Sequence, residues 1–382
     1  RQTLSFDGVA RDVLSRPHMQ GLVKARIDQG AKPEAANAAD TAFEIGGQLT
    51  ADTSGALLRA LTVSFERAGR PQLASGEARM VWGGKPSLDV GLQSRWIDFD
   101  SLGLSPPGTP LATRGQAFAD ALRGALPADG AVRVRVNLDQ ATFGGEIISV
   151  VDLAMTRETG PPVVTMSALL PGGSRIHLGG TLDAEKDRTR FAGKLSLGGA
   201  SLRRFLVWSM ATKTPVIGAD GAFSLDGSIS LGAGRYAVEG MTARLAGSEV
   251  RGSLAWSEVQ ARRNVSISLA GAELDLDGLL AEAPTLDSLR AHLFDSITSA
   301  PGQRLADAVT LRLDLGKLQL AGLALRDVQA AIDIAEGKLA VSRLIAEGPE
   351  GWSIDGRCDL DRGPGGRLQG NAAMALSAAS PA

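Results

Sequence analysis

The chain has 382 residues, 44% of them hydrophobic and 21% charged, and its 40 basic and 42 acidic side chains leave a formal net charge of −2. That balance gives no general attraction to nucleic acid or to an anionic membrane surface. The lone Cys358 excludes an internal disulfide and a zinc site built on several thiolates, and no uncharged apolar run is long enough to span a membrane. The length is that of two or three domains, and a start at Arg1 rather than Met reads as a piece of a longer protein.

In chain order, Gly8 to Val23 reads as a helical segment interrupted by Pro17. Gly83-Gly84-Lys85-Pro86 reads as a hairpin turn, because it lacks the spacing and the Ser/Thr of a phosphate loop. Asp98 and Asp100 sit at i and i+2, which on a strand places two carboxylates on one face about 7 Å apart. Such a pair could hold Ca²⁺ or act as acid and base. The same holds for Asp275 and Asp277, although Asp277 precedes Gly278-Leu279-Leu280 and reads more strongly as a cap. Residues 114–126 carry Phe118, Ala121, Leu122 and Ala125 at helical spacing.

Val132, Val134, Val136 and Leu138 then alternate with Arg133, Arg135 and Asn137, the mark of a strand with one wet and one apolar face. Ser201 to Ala211, with Leu202, Phe205, Leu206 and Trp208, predicts a helix whose wet edge is Arg203-Arg204; contact of that pair with lipid headgroups is the less favoured reading. Alternation resumes over 223–231, 250–256 and 265–269. A further helix is predicted over 285–298. Val309, Leu311, Leu313 and Leu315 alternate with Thr310, Arg312 and Asp314, and 332–334, 339–345 and 352–360 follow. Glycine between the runs supplies hairpin chemistry.

Two stretches repeat. Residues 131–138 and 308–315 align at an offset of 177, as do Gly145 with Gly322, Gly179 with Gly356, Phe191 with Leu368, and Gly193 with Gly370. Trp82 pairs with Trp256 at 174, and Phe43-x-x-x-Gly47 with Phe223-x-x-x-Gly227 at 180. The series predicts two tandem copies, residues 1–195 and 196–382. Leu4-Ser5-Phe6 echoes Leu195-Ser196-Leu197, a phase that leaves room for more copies on either side. The expected fold is mainly β: an elongated, curled antiparallel sheet, groove-like, with roughly ten strands and short helices per copy.

Leu170-Pro171-Gly172-Gly173-Ser174, Gly179-Gly180-Thr181-Leu182 and Phe191 to Leu197 resemble the AsmA-like family, as does Gly271 to Leu280 after the strand Val265 to Leu269. The resemblance implies a periplasmic protein of Gram-negative bacteria, active in outer-membrane biogenesis. It implies anchoring in the inner membrane through a segment outside this chain, and an apolar β-groove that binds or conducts phospholipid or another lipid. Alternation alone fits an ordinary sandwich core. The resemblance turns the reading of Val132, Val134, Val136, Leu138, Val309, Leu311, Leu313 and Leu315 toward the lining of such a groove. The alternative is a periplasmic scaffold that assists outer-membrane assembly factors and carries no lipid.

No enzyme is expected. His18, His177 and His292 have no second His or Cys at ligand spacing, and there is no Gly-x-Ser-x-Gly elbow. No cofactor, metal or nucleic-acid partner is expected either. A membrane β-barrel would need aromatic girdles, whereas aromatics make up 4% with a single Tyr.

Overall fold

A computed structural model describes residues 2–378 apart from 13–14, 30–40, 68–69, 83, 103–107, 125, 128, 186–187, 214–219, 233, 246, 260–261, 281–284, 286–306, 336 and 363–367. It is mainly β. Two compact units are present: Arg1–Pro171 with Arg175–Thr189, and Gly172–Ser174 with Arg190–Ala382. The boundary expected at 195/196 falls within the strand Arg188–Gly199.

The first unit holds β1 (Gln2–Arg11), β2 (His18–Gln29), β3 (Thr41–Ala51), β4 (Gly55–Arg67), β5 (Arg70–Val81), β6 (Ser87–Asp98), helix α1 (Leu111–Gly124), β7 (Ala131–Phe143), β8 (Glu146–Arg157), β9 (Val163–Leu170) and β10 (Ser174–Glu185). The second holds β11 (Arg188–Gly199), α2 (Leu202–Ser209), β12 (Phe223–Gly232), β13 (Arg235–Leu245), β14 (Ser248–Val259), β15 (Arg262–Asp275), α3 (Leu276–Leu279), β16 (Ala308–Leu320), β17 (Leu323–Ala335), β18 (Lys338–Glu347), β19 (Trp352–Arg362) and β20 (Leu368–Ala378).

Within each unit, strands that follow one another in sequence are neighbours in the sheet, and Gly144-Gly145 and Gly322 show the glycine hairpin turns that join some of them. Antiparallel pairing is not universal, contrary to expectation. β6 pairs with β7, and β15 with β16, in parallel register. A parallel pair needs a crossover too long for a hairpin. In the first unit α1 lies on that crossover, so the helix predicted over 114–126 is present with slightly earlier bounds. The helix predicted over 285–298 falls outside the described residues except for Thr285. The helix predicted at Ser201 to Ala211 is α2. Ser201 caps it by accepting from the Arg204 N–H, and Leu202, Phe205 and Trp208 are its buried side.

Gly8 to Val23 is not helical. It belongs to β1 and β2, which pair from Gln2↔Ile27 to Arg11↔His18. Gly8 faces Gly21 there, and the Phe6 ring lies so close to both that a Cβ on either would meet it within 3 Å. Pro17, with no N–H to give a helix, sits in the turn.

The two Asp-x-Asp pairs fasten turns: Asp98 and Asp275 are the last residues of β6 and β15, and Asp100 and Asp277 follow beyond the strand ends. Asp98 accepts from the Ser101 N–H at 3.0 Å, and Asp275, not Asp277, is the N-cap of α3, accepting from the Gly278 N–H at 2.8 Å. Asp100 accepts from the Gly144 and Gly145 N–H groups at 2.6 Å each, holding the β7–β8 hairpin. Asp277 does the same for Ala321 and Gly322 at 2.7 and 2.8 Å in the β16–β17 hairpin. Ala321, with φ of 55°, occupies a conformation disfavoured for residues with a Cβ, and the carboxylate holds it there.

Other irregularities also recur between the units. Register shifts lie at Gly46/Gln48 and Asp226/Ser228, at Leu58/Leu61 and Val238/Met241, and at Ser149/Asp152 and Arg326/Gln329. The last pair coincides with left-handed residues Val150 (φ 50°) and Asp327 (φ 49°).

Two charge-assisted hydrogen bonds to a hairpin are worth about 2 kcal/mol or more. Asp277→Ala should therefore lower stability by about 2 kcal/mol in urea unfolding, and Asp100→Ala by a similar amount. A loss under about 0.5 kcal/mol would mean that the hairpins hold without the clamp.

Candidate functional site

Because successive strand residues point to opposite faces, each unit has one polar and one apolar face. The polar face carries the charges. Arg133 faces Asp89 at 3.6 Å, Arg312 faces Asp333 at 2.8 Å, and Arg326 faces Glu347 at 3.9 Å, all between neighbouring strands. The hydrogen bond from Arg312 holds the Asp333 carboxyl below the usual carboxylate range, and those from Arg244 and Arg251 do the same for Glu249. These groups are solvated and contribute little stability.

On the apolar face, the registers align side chains into rows that cross the strands. In the second unit one row runs Tyr236, Trp256, Val265, Val309, Ile334, Leu339. The next runs Val238, Leu254, Ile267, Leu311, Ile332, Val341. A third contains Gly252, Leu269, Leu313, Ala330 and Leu344. The fourth contains Ala243, Val250, Gly271, Leu315 and Val328. No residue of these rows is charged. In the first unit the equivalent second row runs Leu49, Leu58, Ala78, Val90, Val134, Met155, Val164. Its first row ends at Arg157, whose guanidinium turns away to the Gly130 and Pro127 carbonyls. Four rows span about 20 Å along a strand.

The eight residues singled out from sequence therefore occupy one position per row on β7 and on β16. Val132, Leu138 and Leu315 are buried, while Val134, Val136, Val309, Leu311 and Leu313 are half-buried. In the second unit burial is uneven: Leu339 in the first row is 4% exposed. Leu315 and Val250 in the fourth row are each 1% exposed and pack with Leu274, Leu279 and Leu318 into a closed cluster, whereas Leu254 in the second row is 42% exposed. In the first unit the closed end is an aromatic cluster. Phe99 meets Phe118 of α1 edge-on at 5.7 Å and Phe143 at 6.3 Å, and the buried Arg114 lies 5.5 Å over the Phe143 ring. Desolvation pulls the Arg114 pKa down, and the Asp100 carboxylate opposes that shift.

Sequence reasoning missed the residues that close these ends. After Leu138 and Leu315 the alternation slips, so that Ala141 and Leu318 are buried instead of the residues expected by period two. The apolar spacing Leu-x-x-Ala and Leu-x-x-Leu at those points was the available signal. Arg203 and Arg204 are exposed beside the packed aromatics of α2, and His177 is exposed on β10. Among the described residues no group of three or more His, Cys, Asp or Glu side chains could hold a metal, and no helix is long and apolar enough to cross a membrane. Protein-family models, curated proteins and solved structures yield no match to this chain.

The contrast between Leu315 and Leu311 has a measurable consequence. Leu315→Ala should cost about 3 kcal/mol, the usual cavity penalty, and Leu311→Ala about 1 kcal/mol, since it forfeits only partial burial. Equal costs in urea unfolding would show that both rows are closed core.

Proposed function

We propose that the apolar faces bind lipid acyl chains, and that the protein is an envelope-biogenesis component that holds or conducts phospholipid between membranes. One observation carries this reading: in the second unit, rows without a charged side chain cross many consecutive strands, and most positions of the first three rows are only partly buried. A soluble protein rarely leaves a contiguous apolar surface of this extent without a ligand or partner for it. Acyl chains suit it because they ask for no hydrogen bond and no fixed position. Released bare into water, a two-chain lipid with ~30 methylenes forfeits on the order of 20 kcal/mol at ~0.8 kcal/mol per CH₂, so a carrier must replace nearly all that contact.

In this reading the chain comprises two tandem copies of one unit, each sheet curled into a groove. The recurring clamps, bulges and parallel pairs support the duplication. The phrases shared with the AsmA-like family supply the rest: periplasmic location, an inner-membrane anchor outside residues 1–382, and outer-membrane assembly factors as neighbours.

Native mass spectrometry of the purified protein, with lipid extraction after denaturation, tests the proposal. Stoichiometric phospholipid is the expected result. Val134→Asp and Leu311→Asp should each reduce it about tenfold while leaving the circular dichroism spectrum unchanged, because an uncompensated carboxylate opposes an acyl chain. Folded, lipid-free wild-type protein would refute the proposal and favour the scaffold.

A further inference from the structure

On the polar face of the first unit, β5 and β6 part company. Their antiparallel ladder runs from Val81↔Ser87 only as far as Ser75↔Gln93, although β5 begins at Arg70 and β6 ends at Asp98. Beyond that pair, buried side chains stand in for the missing ladder bonds. Gln72, 2% exposed, accepts from the Asp98 N–H at 2.7 Å and donates to the Ser101 hydroxyl at 3.4 Å. Ser94 donates to the Leu73 carbonyl at 2.7 Å and accepts from the Trp96 N–H at 3.2 Å. The parting opens a cavity of about 590 Å³, within the range of roughly 300–1,000 Å³ usual for small-molecule sites.

The cavity is polar on one side and apolar on the other. Gln93 and Arg95 of β6 and Asn137 and Asp139 of β7 supply the polar side, and Pro71 and Leu73 of β5 the apolar one. Arg95 lies beside Asp139 in the parallel β6–β7 register, yet no ion pair joins them among the described residues, whereas Asp89 and Arg133 on the same two strands close to 3.6 Å. The fold does not require this lining. In the second unit Gly252 stands where Gly76 does: a Cβ on Gly252 would strike the Ser268 carbonyl oxygen, and one on Gly76 the Gly91 carbonyl oxygen. From that anchor, Glu249 takes the place of Leu73, Ala270 and Ala272 those of Gln93 and Arg95, and Gly316 that of Asp139. Glu249 is committed to Arg244 and Arg251. The strands there pair all the same, one position farther, to Val250↔Gly271.

We propose that this cleft between β5 and β6 binds a neutral saccharide, held by Gln93, Arg95, Asn137 and Asp139. Arg95 only donates hydrogen bonds, the Asp139 carboxylate only accepts them, and the carboxamides of Gln93 and Asn137 do both. A sugar ring with adjacent hydroxyls answers all four, since each hydroxyl donates and accepts, and its C–H face lies against Leu73 and Pro71. The one positive and the one negative charge cancel, so a phosphate or nucleotide would gain from Arg95 and lose to Asp139. An alkyl chain would leave four polar groups without partners. The cleft opens on the face opposite the apolar rows, and lipid binding there is not required.

The test is saturation-transfer NMR of the whole chain with the methyl glycosides of glucose, galactose, mannose and N-acetylglucosamine and with cellobiose, followed by calorimetric titration. Saturable one-to-one binding of at least one of these sugars is expected. Arg95→Ala and Asp139→Ala should each weaken it by about tenfold or more, the loss of a charge-assisted hydrogen bond, in variants whose circular dichroism is that of the parent because both side chains are exposed. Asp89→Asn, on the same face outside the cleft, should leave the affinity unchanged. Absence of binding by every sugar in the set would overturn the proposal. So would binding that survives both alanine substitutions, which lies elsewhere on the chain. Displacement of the sugar by an equal concentration of inorganic phosphate would also overturn it, making the cleft an anion site built on Arg95.

Discussion

Register between neighbouring strands is the constraint on which everything else in each unit depends. With a side-chain period of two, a slip of one residue would carry Val134 or Leu311 to the face that holds Arg133 and Asp333, and would bring those charges inside. The register is pinned at the hairpins. Asp100 and Asp277 reach across a crossover to grip the turns of β7–β8 and β16–β17, and so fix where each of those strand pairs begins. Bulges are the permitted exceptions. At Val150 and Asp327 an added residue shifts the phase of β8 against β9 and of β17 against β18 once, and Ile148 reaches the closed end of the face from the shifted part of β8.

From that constraint the division of labour between faces follows. Charged groups are paired across strands on the solvated side, where each pair adds little, and the four rows of the second unit's apolar side carry no charged side chain. Packing closes only part of it. Where α3 and the end of β16 reach the face, side chains are excluded from water almost completely. Farther along the same strands, the neighbours of Leu311 leave room. The half-exposed rows carry a standing cost in apolar surface that an acyl chain would remove, and this ties the fold to the proposed function.

Much of this was legible in the sequence. The alternation at 131–138 and 308–315 marks strands and assigns each residue to a face, because period two is a direct consequence of extended backbone. The helices at α1 and α2 were legible from apolar spacing. Gly8 to Val23 misled because glycine and a central Pro17 blur both periods. The pairing of Gly8 with Gly21 under Phe6 is a tertiary fact that no local pattern records. Parallel pairing of β6 with β7 was likewise invisible, since a strand's own sequence does not reveal the direction of its neighbour. The difference between Leu315 and Leu254 was not legible either: alternation tells which way a side chain points, not what stands above it.

Cys358, the chain's single cysteine, lies half-buried on β19 opposite Val341 of the second row and so reports on the open part of the face. The most direct measurement is to label it with bimane and titrate the protein with phospholipid carrying a nitroxide on the acyl chain. Saturable quenching, competed by unlabelled phospholipid, is the predicted result. A label that reacts in the folded protein yet is never quenched would contradict the claim that acyl chains occupy this face.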